Sequence, residues 1–84
     1  MKHYAITRTD VAGTVFYGPV WGSFYAPDWT PHVFNAQRYS NKRDAAKDAR
    51  KLRPTHPSNT RFAVVELGTF GDVPNRIIRT VQEV

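Results

Sequence analysis

The chain is 84 residues long with a net charge of +5, a length that suits one domain and not two. A domain of this size buries only roughly 60–65% of the surface its unfolded chain exposes, so its core is thin. It has no cysteine, which excludes disulfides and thiolate metal sites and fits a reducing compartment.

Residues 3–9 alternate in the manner of a half-buried strand, with Tyr4 and Ile6 on one side and Ala5 and Thr7 on the other. Asp10 to Gly13 reads as a turn, and Thr14-Val15-Phe16-Tyr17 as the returning strand of a hairpin. The stretch FYGPVWGSFYAPDWTPHVF, residues 16–34, then holds seven of the eleven aromatic residues, three of the six prolines and a single charge, Asp28. Gly18-Pro19 and Gly22 interrupt regular pairing there. Ser23-Phe24-Tyr25 predicts a short third strand, and His32-Val33-Phe34 is extended at best because Pro31 precedes it.

Two leucines and three isoleucines are too few to fill a core, and each aromatic ring can bury about 150–250 Å². Phe16, Phe24, Phe34 and Trp21 are therefore assigned mainly to the core. Tyr17, Tyr25 and Trp29 are the aromatics expected at the surface. Trp29 sits in the proline-bracketed APDWTP, and a stiffened aromatic loop loses little entropy when it binds.

SNKRDAAKDARKL, residues 40–52, predicts one helix. Ser40 or Asn41 supplies the N-cap, Ala45, Ala49 and Leu52 form a narrow apolar stripe, and Pro54 marks the end. At 100° per residue Arg43, Lys47 and Arg50 cluster opposite that stripe, with Lys51 beside them. Asp44 and Asp48 each precede a lysine by three residues, a spacing that supports weak ion pairs, whereas Arg43, Lys47 and Lys51 are like-charged neighbours at i, i+4. Residues 38–53 carry the whole net charge of the chain, and such a segment attracts acidic partners. A solvated surface helix is the plain alternative.

Phe62 to Leu67 is nearly continuous in apolar residues and predicts a central strand broken by Gly68 and Gly71. RIIRTVQEV fits helical spacing at Ile77, Ile78 and Val81, yet five of its nine residues are β-branched, which tips the reading towards strand. The elements together predict a single α+β domain over residues 1–84: a small antiparallel sheet of three to five strands with one helix, about 40–52, on one face.

His3, His32 and His56 lack the paired spacing of metal ligands. Asp28 and His32 would meet only if a stretch holding Pro27 and Pro31 were helical. Gly18 and Gly22 lack the lysine and following helix of a phosphate loop. The sequence therefore predicts no enzyme, no cofactor and no metal site. Its longest fully apolar run is Phe62-Ala63-Val64-Val65, far below the roughly 20 residues of a membrane span. The first ten residues also lack the apolar stretch of a signal peptide. No membrane partner and a cytoplasmic location are the expectations.

YAITR, FNAQRYSNKRDAAKDARKL and FAVVEL together resemble small bacteriophage-encoded accessory proteins of β-β-α-β type. That resemblance implies a non-catalytic protein that binds a host or phage macromolecule in the host cell cytoplasm. YAITR, GTVFYG, Trp21 and RYSNKRDAA are also similar to the hybrid-binding domain attached to some ribonucleases H, although residues 18–34 are proline-rich where that family has a helix. SNKRDAAKDARKL resembles the basic last helix of double-stranded RNA-binding domains, with Lys42, Arg43 and Lys47 at the phosphate-contacting positions, but here a strand follows it.

The expected site comprises Arg43, Lys47, Arg50 and Lys51 for electrostatic attraction and Tyr25 and Trp29 for apolar anchoring, since Trp, Tyr and Arg dominate interface hot spots. The first expected partner is an acidic protein or nucleoprotein surface. Direct nucleic-acid binding with Tyr17, Tyr25 or Trp29 as stacking platforms is the alternative, and a homodimer through a sheet edge is a third option.

Overall fold

The alternation in residues 3–9 becomes the middle strand of the structure, a computed structural model that describes residues 2–18 and 29–84. Strand β1, His3–Asp10, pairs antiparallel with β2, Gly13–Tyr17, and with β4, Arg61–Phe70. Between β1 and β2 the Ala12 amide donates to Asp10 Oδ1 at 2.8 Å. Gly13 then takes a φ of 124°, which a side chain would oppose. Strand β3, Trp29–Thr30, adds to β2, and β5, Val73–Glu83, adds to β4, giving the order β3-β2-β1-β4-β5. The nearly continuous apolar strand is thus interior, and the ambiguous tail is a strand. The strand expected at Ser23-Phe24-Tyr25 lies outside the described residues, as do Trp21, Phe24 and Tyr25.

Helix α1, Lys42–Leu52, covers one face. Its cap is reciprocal: the Asp44 amide donates to Asn41 Oδ1 at 2.8 Å, and Asn41 Nδ2 donates to Asp44 Oδ2 at 3.1 Å. Ala45, Ala46 and Ala49 are fully or almost fully buried over Ile6, Phe62 and Val64. Small side chains let the helix lie close to the sheet and leave the apolar filling to the strands. At Leu52 the chain tightens into a 3-10 turn, Arg53–Thr55, which contains Pro54, and the Thr55 hydroxyl donates to the Leu52 carbonyl at 2.6 Å.

On the opposite face Ala5, Phe16, Val65 and Leu67 pack beneath Ala36 and Val33, because successive residues of a strand point to opposite sides. The segment predicted as extended at His32-Val33-Phe34 is instead a 3-10 turn, Val33–Asn35, closed by the Asn35 amide to His32 O at 3.0 Å and the Ala36 amide to Val33 O at 3.1 Å. That turn points Val33 inward and Phe34 outward. Phe34 is 55% exposed and stacked on His32, so its assignment to the core is corrected; Phe16, at 7% exposure, does lie in the core.

The β4–β5 hairpin is irregular. Its register shifts three times, and Asn75, Ile78 and Val81 are the unpaired extra residues on β5. Each such bulge bends the strand and increases its twist. Gly68 does not break β4 but continues it, leaving room for the Arg76 side chain, which would stand 3.0 Å from any Cβ there.

Candidate functional site

Arg43, Lys47, Arg50 and Lys51 are all exposed on α1, so the structure brings together the four cations that the helical spacing grouped. The eight steps from Arg43 to Lys51 span about 12 Å at 1.5 Å per residue. Among the described residues the ion pairs run from Lys2 and Arg79 to Glu66, at 4.0 and 3.1 Å, and none involves this helix. The predicted Asp44–Lys47 and Asp48–Lys51 pairs do not form. Asp44 is occupied by Asn41, and Asp48 Oδ2 accepts the Tyr39 hydroxyl at 2.8 Å. The acids that could have neutralised the face are turned to capping and to anchoring the helix.

Tyr39 reaches that position because its backbone bridges to Tyr4 on β1, with amide–carbonyl distances of 2.9 and 2.8 Å in the two directions. Burial, then the hydrogen bond and charge of Asp48, push its phenol well above the usual range. The Tyr39–Asp48 bond therefore stays intact through neutral pH, and Asp48 stays withdrawn from Lys51.

The aromatic half of the expected site is arranged differently. Tyr25 lies outside the described residues. Trp29 is half-buried and not an exposed anchor: its ring meets Tyr17, His56 and Phe62 edge-on at centroid distances of 5.6, 5.6 and 5.8 Å. Pairing of β3 with β2 sets Trp29 opposite Tyr17, where both rings pack against the cluster beneath the alanine face of α1. Tyr17 is half-buried for the same reason.

Arg8 and His56 complete this cluster; the sequence reading weighs His56 only as a metal ligand and gives Arg8 no role. The Arg8 guanidinium carbon lies 4.8 Å from the centre of the Trp29 ring, and its Nη1 is 3.3 Å from His56 Nε2. Because arginine only donates, His56 Nε2 is the acceptor and Nδ1 carries the proton, facing Leu52 O at 3.2 Å and Thr55 Oγ1 at 2.9 Å. The alternation that placed Ile6 inward also places Arg8 on that side, a signal available in the sequence.

Two further features complete the surface. A groove of about 580 Å³ on the face away from α1 is floored by Thr7, Thr9, Ala63 and Val65. A cleft of about 460 Å³ beside the start of α1 is lined by Lys2, Lys42 and Arg79. Among the described residues no three His, Asp or Glu side chains gather closely enough to hold a metal ion, and no helix is long and apolar enough to cross a membrane. No family model, curated protein or solved structure matches this chain.

Proposed function

We propose that this protein is a non-enzymatic binding module, an accessory protein of the phage-encoded type acting in the cytoplasm, whose α1 face engages an acidic macromolecule. One observation carries the reading: Arg43, Lys47, Arg50 and Lys51 share an exposed face with no ion-pair partner among the described residues, while Asp44 and Asp48 are held by Asn41 and Tyr39. Like-charged neighbours at i, i+4 weaken a helix by a few tenths of a kcal/mol per pair, a cost that a partner's negative charge removes. Self-association through the sheet edges is the weaker option. Strand β3 is two residues long and β5 is bulged three times, and short or bulged edges resist strand addition.

The test is retention on immobilised polyanions, heparin and poly-glutamate, at rising salt. Arg43→Glu with Lys47→Glu should elute at much lower salt than Arg61→Glu with Arg76→Glu, a pair with the same change in net charge on exposed strand positions. Equal losses for the two pairs would show that only total charge matters and would remove the helix face from the function.

A further inference from the structure

We infer that the acidic partner is a double-stranded nucleic acid, gripped through its phosphates and not read through its bases. This rests on the binding-module reading and narrows it. Every exposed side chain of α1 is charged: Lys42, Arg43, Asp44, Lys47, Arg50 and Lys51. The exposed large apolar side chains of the described residues lie elsewhere, on the β1–β2 turn at Val11, at Phe34, and on the β4–β5 hairpin at Phe70, Val73, Ile77 and Ile78. Trp29, the aromatic closest in sequence terms to an anchor, is packed among Tyr17, His56 and Phe62.

That separation discriminates between partners. A protein interface draws its affinity from a desolvated apolar or aromatic centre and is depleted in lysine, and exposed ion pairs alone add little. A phosphodiester backbone needs no apolar centre, because cations placed on it release condensed counterions and affinity grows with each one. Single strands are held by stacking bases on aromatic rings, and no exposed ring stands on α1. A duplex keeps its bases stacked and presents phosphates only. Laid parallel to the duplex axis, the run of about 12 Å from Arg43 to Lys51 covers three to four phosphates of one strand, which recur about every 3.4 Å of axis. Phosphate contacts carry no sequence information, so affinity should vary little between sequences.

Fluorescence anisotropy with labelled 20-base-pair DNA and RNA duplexes of two unrelated sequences, a single strand of equal length and labelled poly-glutamate tests this. Either duplex, DNA or RNA, should bind with a log–log salt slope near −3 to −4, about 0.9 per phosphate contacted, and similarly for both sequences. The single strand should bind at least about tenfold more weakly, since no aromatic ring stands on α1 for its bases to stack on. Lys47→Ala or Arg50→Ala should each reduce the slope by about 1, with an unchanged melting curve confirming the fold. Single-strand binding as tight as duplex binding overturns the inference. So does salt-dependent binding of poly-glutamate with none of either duplex, which leaves the binding-module reading standing. Absence of binding to every polyanion overturns both.

Discussion

The guanidinium of Arg8 lies over the ring of Trp29 with its carbon 4.8 Å from the ring centre, and Trp29 in turn packs against the cluster of Ile6, Phe62 and Val64 under α1. Beneath them Phe62 is 1% exposed, so the ring and the cation cap the core where the alanines of α1 end. A Trp lost from a core costs about 3–5 kcal/mol. Trp29 is half-buried, so Trp29→Ala should cost about 2–3 kcal/mol, with Trp29→Phe recovering part of it. Urea unfolding followed by circular dichroism measures both. Polyanion affinity of Trp29→Phe should stay within about twofold of the parent at the usual fold of ten per 1.4 kcal/mol. A large loss of affinity with little loss of stability would return Trp29 to the binding surface.

Tyr39 links the helix to β1, and its hydrogen bond to Asp48 gives the molecule an alkaline weakness. Its phenol is raised above the unfolded value of about 10, so the folded state favours the neutral form. The contribution is complete below pH about 10 and is lost as pH rises beyond it, because the unfolded chain ionises first. Tyr39→Phe should lower stability at pH 7 by about 1–2 kcal/mol, since Asp48 loses a donor. The gap between parent and variant should stay constant in melts from pH 8 to about pH 10 and narrow as the pH is raised beyond it. The freed Asp48 stands three residues before Lys51, so the variant should also bind polyanions slightly more weakly.

Much of this architecture is legible because it is local. The cap at Asn41, the alanine stripe and the Asp10–Gly13 turn depend on neighbours within a few residues, and β5 follows from its β-branched content. The misread parts depend on distant partners. Trp29 is drawn inward by pairing with Tyr17 across residues 19–28, and Arg8 meets His56 from 48 positions away. Pro31 limits the expectation for residues 32–34 to an extended segment at best. Yet the His32 amide donates to Thr30 Oγ1 at 3.1 Å and the chain turns at once, exchanging Phe34 for Val33 in the core. The basic face was legible as a cluster, but its lack of counter-charges was not, because both acids on α1 had partners within reach in the sequence.

Asn41 makes the helix start, and through it sets the phase of the basic face. Asn41→Ala removes the acceptor of the Asp44 amide and the donor to its carboxylate, a change worth about 1 kcal/mol at an N-cap. Asn41→Ser should be nearly neutral, because a hydroxyl oxygen can take the same bond. Thermal melts of the three proteins check this. An Ala variant as stable as the parent would mean that tertiary packing of Ala45 and Ala49 holds the first turn unaided.

Gly18 and Gly68 separate two ways in which a missing side chain can matter. A Cβ on Gly18 would run into the carbonyl oxygen of Asn35 and come within 3.3 Å of the Thr30 methyl. A backbone carbonyl in a closed 3-10 turn has little room to retreat, and the neighbouring Gln37 amide already bonds Tyr17 O at 2.8 Å. At Gly68 the obstruction is the flexible Arg76 side chain at 3.0 Å, which is exposed and free to swing away. Gly18→Ala should therefore cost about 1–3 kcal/mol, the range for overpacking. For Gly68→Ala, removing a glycine from a strand interior recovers about 0.5–1 kcal/mol, which offsets the displacement of Arg76 and leaves stability nearly unchanged. Hydrogen exchange adds a spatial readout: Gly18→Ala should lower protection at Gln37 and Tyr39 while leaving β4 protected. Equal destabilisation by the two variants would show that the strap from Pro31 to Arg38 yields as easily as one side chain.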